Sequence, residues 1–269
     1  MTQLPDVIAD LTAEGDSVDQ MVADLRPDQW TIPTPAPGWT IGHQIAHLTA
    51  TFRMAGMAAA DPTAFVAMTA GLSDDFDANV TAALSEYLTD PPGVLRARWQ
   101  AERATAVKAL AAVPPGHTVP WLVTPLPPAV LAAAGMMELF GHGQDIADAL
   151  GVPRHHTDRI RHVTAFAVRT WEFGYHAHGL TPPQVEFRYE LTSPTGALWT
   201  FGPPDSPERV GGPAVDFCLL VTRRRHHRDL NLTVSGDHTA EWLTIAQAYR
   251  GPAGPGRAPG QFPTPVTRG

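Results

Sequence analysis

The residues with the most chemistry to offer lie in Met136-Met137-Glu138-Leu139-Phe140-Gly141-His142-Gly143-Gln144-Asp145. Glu138 and His142 are four apart, so on a helix they project from one face with adjacent side chains. A carboxylate and an imidazole placed this way can share one divalent cation. The same pair can equally form a buried Glu–His hydrogen bond that only fixes helix packing, because polar groups in a core need partners rather than catalysis. A second segment, Gly42-His43-Gln44-Ile45-Ala46-His47-Leu48, holds two histidines four apart. His47, flanked by Ile45 and Leu48, is expected to point inward, and His43 to lie nearer the helix start and the surface. Bringing His47 against Glu138 and His142 would put two histidines and one carboxylate on one side of a metal, with other positions open to water or substrate. Zinc, iron, nickel and manganese all accept that donor set. Asp145, three residues beyond His142, is a candidate to orient the imidazole from its far side.

Other chemistry-bearing residues are less pointed. Arg223-Arg224-Arg225-His226-His227-Arg228 is a short basic run. It reads as a solvated turn between a helix and a strand, or as a site for a thiol cofactor or an acidic substrate. One such run on an acidic chain is weak evidence for nucleic acid. Cys218 sits in Asp216-Phe217-Cys218-Leu219-Leu220, a context for a buried, inert thiol. As the one cysteine of the chain, it excludes an intrachain disulfide and a Cys-based zinc site. Trp30, Trp39 and Trp121 lie beside proline-rich connections, where they pack or line a pocket mouth. The sequence has no Gly-rich phosphate loop and no dinucleotide fingerprint.

The elements that must position these groups are mainly helical in the first half. Leu4, Ile8, Leu11, Val18, Met21, Val22 and Leu25 recur at helical spacing until Pro27. Thr40 can cap a helix whose stripe includes Ile41, Ile45, Leu48, Phe52 and Met57, with Pro62 as its limit. Thr63 to Asp77 reads as a short helix or loop. Helices follow from about Pro92 to Val113 and from about Pro128 to Leu150, the latter stopped by Gly151. Four long helices make a four-helix bundle the simplest architecture. Beyond Pro153, one helix is expected from Thr157 to about His178. Val185 to Leu191 alternates as a strand, Ala197 to Phe201 is its hairpin partner, and Leu230 to Val234 is another strand. Ala214 to Val221 and Ala240 to Tyr249 read as helices. The expectation is an α+β protein: a metal-binding bundle over 1–153, a smaller α+β domain over 154–250, and a Gly/Pro-rich tail over 251–269, extended or disordered.

Composition sets the outer limits. Of 269 residues, 43% are hydrophobic and 17% charged, enough apolar material for a core. The net charge of −8 lacks the field of a general nucleic-acid binder. No apolar run approaches the ~20 residues that span a bilayer. Asp6, Asp10, Glu14 and Asp16, with no Lys or Arg among them, reverse the charge of a signal-peptide start. A soluble cytoplasmic monomer or homodimer acting on a small molecule, without nucleic-acid or membrane partners, is the expectation.

Two stretches resemble a known family. Trp30 to Leu48, with Pro-Gly-Trp-Thr before a helix carrying Ala46-His47-Leu48, is similar to the DinB/YfiT-like metal-binding bundle proteins. So is Glu138-x-x-x-His142-Gly-x-Asp145-Ile-Ala-Asp148-Ala-Leu-Gly151. Within them it resembles the actinobacterial members typified by mycothiol-dependent maleylpyruvate isomerase. Gly196-x-x-Trp199, Asp216-Phe217-Cys218, Thr222-Arg223-Arg224 and the Trp242 to Ala248 segment look like one uncharacterised branch. The resemblance runs to about Arg257. It implies a metal, usually zinc, held by His47, Glu138 and His142, with a thiol or water completing coordination. It also implies mycothiol as co-substrate in an isomerisation or thiol transfer on an electrophile, an arginine such as Arg223 or Arg224 meeting the substrate's anionic end, and a cleft between bundle mouth and second domain. Two alternatives stay open: thiol-independent Lewis-acid or metal-water chemistry (hydrolysis, dehydration or cyclisation), and a metal-binding protein without catalysis.

Overall fold

The computed structural model describes residues 3–262, and its N-terminal helices begin where the sequence places proline. Pro5, Pro62, Pro92 and Pro128 fall in the first turns of α1 (Leu4–Val22), α3 (Pro62–Thr69), α5 (Pro92–Ala111) and α6 (Pro128–Leu150). There the missing N–H breaks no intrahelical bond. The other two helices of this unit start on side-chain caps. Thr40 Oγ1 accepts from the His43 N–H before α2 (Ile41–Ala60), and Asp75 accepts from Ala78 N–H before α4 (Phe76–Leu88). The first helix ends at Val22, about a turn short of the expected stop at Pro27, and a short 3₁₀ helix spans Pro27–Thr31.

The four long helices form the bundle: α1 and α2 each pack on both α5 and α6. Val7, Leu11 and Val18 of α1, Ile41, Ile45 and Leu48 of α2, Trp99 of α5 and Leu139 and Ile146 of α6 are buried between them. Phe52 meets Trp99 edge to face at 5.2 Å. Gly56 lets α2 approach α5 closely, since a Cβ there would lie 3.2 Å from the Ala106 Cα. Thr63–Asp77 contains α3 and then a turn. α4 has no counterpart in the sequence reading, for it buries only Leu84 and Tyr87 and so shows little periodicity.

The chain divides into two compact units at Arg154 and His155. The second unit is α+β. A short 3₁₀ helix (Asp158–Ile160), α7 (Arg161–Arg169) and α8 (Phe173–Ala177) precede β1 (Arg188–Thr192), β2 (Leu198–Phe201) and β3 (Arg209–Pro213). Then come α9 (Ala214–Val221), a 3₁₀ turn (His227–Asp229), β4 (Thr233–Ser235) and α10 (Asp237–Ile245). The sheet order is β2-β1-β3-β4. β1 pairs antiparallel with β2 and parallel with β3, and β3 pairs antiparallel with β4.

Two expectations are corrected here, and one strand is added. The single helix from Thr157 to His178 is broken at 170–172. Thr170 Oγ1 donates to the carbonyls of Phe166 and Ala248, the Trp171 carbonyl accepts from Trp242 Nε1, and Gly174 abuts the Ile245 carbonyl. The strand β3 was not read, because Arg-Val-Gly-Gly-Pro carries one apolar side chain. The closing helix stops at Ile245, where the backbone turns extended. Residues 251–262 form neither helix nor strand, and Gly260 N–H is held by the Asp229 carboxylate at 2.9 Å. The rest of the expected tail, 263–269, lies outside the described residues. Among the described residues, no helix is long and apolar enough to cross a membrane.

Candidate metal centre

α2 and α6 together place three of the sequence candidates on one another. His47 Nε2 lies 3.3 Å from Glu138 Oε2, and His142 Nε2 lies 3.2 Å from the same oxygen. One ligand atom from each residue falls within 4.8 Å of the other two. The side chains are 22%, 20% and 13% exposed for His47, Glu138 and His142, so the cluster is sheltered but reachable. Burial pushes the Glu138 carboxyl up, yet when the two imidazoles are protonated the hydrogen bonds and charge of His142 and His47 together outweigh it and hold the group far below the usual carboxylate range. Thr51 Oγ1 stands 3.5 Å from His47 Nε2.

A chain of hydrogen bonds fixes how His142 presents itself. The Trp39 carbonyl accepts from the Thr34 hydroxyl at 2.9 Å. With its proton committed, Thr34 Oγ1 accepts from Gln44 Nε2 at 2.8 Å. That turns Gln44 Oε1 toward His142 Nδ1, 2.5 Å away, and an oxygen acceptor requires Nδ1 to carry hydrogen. The inward-facing Nε2 of a neutral His142 is then a lone pair. A lone pair aimed at a carboxylate oxygen is repulsive unless a proton or a cation lies between them. A divalent cation satisfies all three donors at once. Ligands about 2.1 Å from a tetrahedral zinc stand roughly 3.4 Å apart, close to the two separations seen here. The residues present therefore fit a metal.

The remaining candidates fall elsewhere. Asp145 is fully buried on α6, and the acceptor at His142 Nδ1 is Gln44, which the sequence reading passed over. Its signal was available: Gln44 shares the buried stripe of Ile41, Ile45 and Leu48, where an amide needs a partner. His43 is taken up by the start of α2, its Nδ1 2.8 Å from Thr40 Oγ1, and burial lowers its pKa. Trp39 stacks on His142 at 5.9 Å and 20° and lies 5.4 Å from His47. Trp30 is buried in packing, and Trp121 stacks on Phe65 at 5.6 Å. Arg223 and Arg224 lie in the second unit just past α9. Arg224 donates to the Thr222 carbonyl, and Arg223 to that of Gly254. Cys218 is fully buried, and burial, only partly opposed by Thr164, pushes its thiol up to about 12, as expected of an inert cysteine.

Arg154, past the end of α6, locks α6 to α1. Its guanidinium donates to Glu14 Oε1 and the Phe140 carbonyl, each at 2.5 Å, and to the Leu139 carbonyl at 3.2 Å. Gly143 makes this possible, since a Cβ there would lie 2.8 Å from the guanidinium carbon.

A helical bundle carrying a two-histidine, one-carboxylate cluster, followed by a smaller α+β unit, defines a DinB-like class of metal-binding fold. The chain belongs to the family described as mycothiol maleylpyruvate isomerase N-terminal domain, whose model matches residues 11–147. It is 42% identical over 250 residues to uncharacterised proteins of Mycobacterium tuberculosis strains CDC 1551 / Oshkosh and ATCC 25618 / H37Rv, covering 93% of this chain and 97% of each of those. Two crystal structures of the mycothiol-dependent maleylpyruvate isomerase share the fold. A histidine-to-alanine mutant matches with TM-score 0.55 at 13% identity, and the unmutated protein with 0.53 at 14%. Each alignment covers 81% of this chain and 88% of the other.

Proposed function

We propose that this chain is a divalent-metal-dependent enzyme acting on a small electrophilic metabolite, with the low-molecular-weight thiol mycothiol as co-substrate in an isomerisation or thiol transfer. The observation that carries the reading is the convergence of His47 Nε2, Glu138 Oε2 and His142 Nε2 within 4.8 Å. His47, Glu138 and His142 are the ligands in this proposal, and three protein donors is the number typical of catalytic rather than structural zinc. The ion, zinc before nickel, iron or manganese, would supply Lewis acidity, lowering the pKa of a thiol or water or polarising a carbonyl.

The chain's own residues do the rest. Gln44 keeps the proton of His142 on Nδ1 and its lone pair inward. Glu138 offers Oε2 as the anionic ligand between the two imidazoles. Trp39 covers one side of the two imidazoles and keeps water from it. Asp145 supports the α6 ligands from within the bundle, and Arg223 or Arg224 meets the substrate's anionic end.

The test is elemental analysis of the purified protein beside a His142→Ala variant, followed by turnover of an activated alkene with and without mycothiol. Near-stoichiometric metal that the variant loses, with turnover that needs the thiol, is the expected result. Turnover without thiol would replace the thiol step by metal-water chemistry. No metal in either protein after reconstitution would reduce Glu138 and His142 to a core hydrogen bond.

A further inference from the structure

The second unit contains a cavity of about 130 Å³ walled by Arg223, Arg225 and Arg257 with His226 and His227. No carboxylate is among its lining residues. That volume is several times the ~15 Å³ one ordered water needs, and the company is unusual. Cationic and imidazole groups gathered around a hollow set up a field that attracts an anion. The environment is felt by His227: burial, then the neighbouring charges of His226 and Arg228, lower its pKa against the opposing pull of Asp229.

The backbone is bent to build this wall. α9 ends with Arg223 N–H on the Leu220 carbonyl at 2.8 Å and Arg224 N–H on that of Leu219 at 2.9 Å. This pattern closes a helix through a left-handed residue that is usually glycine. Here it is Arg223, at φ 58°, the one non-glycine with positive φ among the described residues. Side chains resist that conformation, and it persists where the surroundings demand it, often at ligand sites. The guanidinium it delivers has its Nε buried with no acceptor. Gly256 makes room, since a Cβ there would stand 2.8 Å from an Arg223 terminal nitrogen. Arg225 is braced against the Phe262 ring at 4.7 Å. His226 accepts the Arg228 N–H at Nδ1 (3.1 Å), which leaves its Nε2–H as a donor.

We propose that this cavity is a binding site for a phosphoryl group, free or on a small organic body; it engages Arg223 and leaves Arg224, which is not among its lining residues, to the substrate's anionic end. Planar guanidinium forks match phosphate oxygens in pairs, and the imidazole donor adds a further hydrogen bond. Leu220 and Leu243 on the same wall offer an apolar surface to the carbon part of a phosphomonoester.

Calorimetric titration of the full chain with inorganic phosphate and with phenyl phosphate, in chloride of matched ionic strength, tests this. Saturable binding is expected for both, tighter for phenyl phosphate if the apolar wall takes part. Arg257→Gln should weaken it about tenfold. Thr244→Glu, at an exposed position of the lining, should weaken it similarly by placing a carboxylate at the mouth, and it stands in should Arg257→Gln fail to fold. Equal affinity for the two probes would assign the site to free phosphate. Absence of saturable heat at about 10 mM of either probe, or unchanged affinity in folded variants, overturns the proposal.

Discussion

Arg154 in the first unit and Arg223 in the second are both drawn into the fold, and their guanidinium groups meet opposite treatment. Arg154 finds a carboxylate and two helix carbonyls. Arg223 reaches one carbonyl and keeps a buried Nε without an acceptor beside a cavity. The contrast extends to the carboxylates. Glu14 Oε1 takes the Arg154 guanidinium, whereas Glu138 faces two imidazoles across a gap that one cation could fill. Polar groups that satisfy one another hold a fold together; polar groups left facing a shared gap wait for something to fill it. Substituting the first kind should lower stability, and substituting the second kind should lower binding while leaving the fold in place.

The largest effect expected is therefore at Arg154. Arg154→Ala takes the guanidinium away from the buried Glu14 and should cost about 3–5 kcal/mol in chemical denaturation; a loss below about 1 kcal/mol would erase the distinction drawn above. His47→Ala sits on the other side of it. Bound zinc should fall from near one per chain to trace, with affinity down more than about 100-fold, while the melting temperature of metal-free protein barely moves. A metal-free melting point that collapses would make the trio structural. Gln44→Leu is the intermediate case, because it removes only the group that orients a ligand. Metal affinity should drop about 10–100-fold, and the nitrogen NMR shifts of His142 should show the proton no longer confined to Nδ1.

The smallest effect is at Asp19, whose carboxylate takes Arg96 Nε at 3.0 Å, Arg96 NH2 at 2.7 Å and Gln100 at 3.0 Å. Burial works against its ionisation, but these bonds win and lower the pKa below 3.8. Their stabilisation is present above that ordinary value and disappears as pH falls through the lowered one. Asp19→Asn should cost about 1–2 kcal/mol at neutral pH, since Arg96 is partly exposed, and nothing once the wild-type acid is protonated. A difference that persists in strong acid would exclude the ion pair as its source.

Much of this was legible in the sequence, for identifiable reasons. Glu138 and His142 announce themselves by spacing alone, since four residues on a helix fix their adjacency. The long helices follow from apolar periodicity and from proline at their starts. Gln44 was missed because its partner is 98 positions away and an amide carries no reactivity to attract notice. α4 and β3 were missed because each buries too little for a period to show. The break between α7 and α8 is made by contacts with residues some seventy positions later, which no local pattern contains.

One consequence follows from the distance along the chain between His47 and Glu138, which are 91 residues apart and on different helices. An ion gripped by both ends of that span would act as a reversible cross-link between the two helices. The folded protein would then be a gauge of its own metal supply. At a free concentration one hundred times the dissociation constant, the bundle gains about 2.7 kcal/mol, and starvation for the metal would shorten the lifetime of the protein before it touched any reaction.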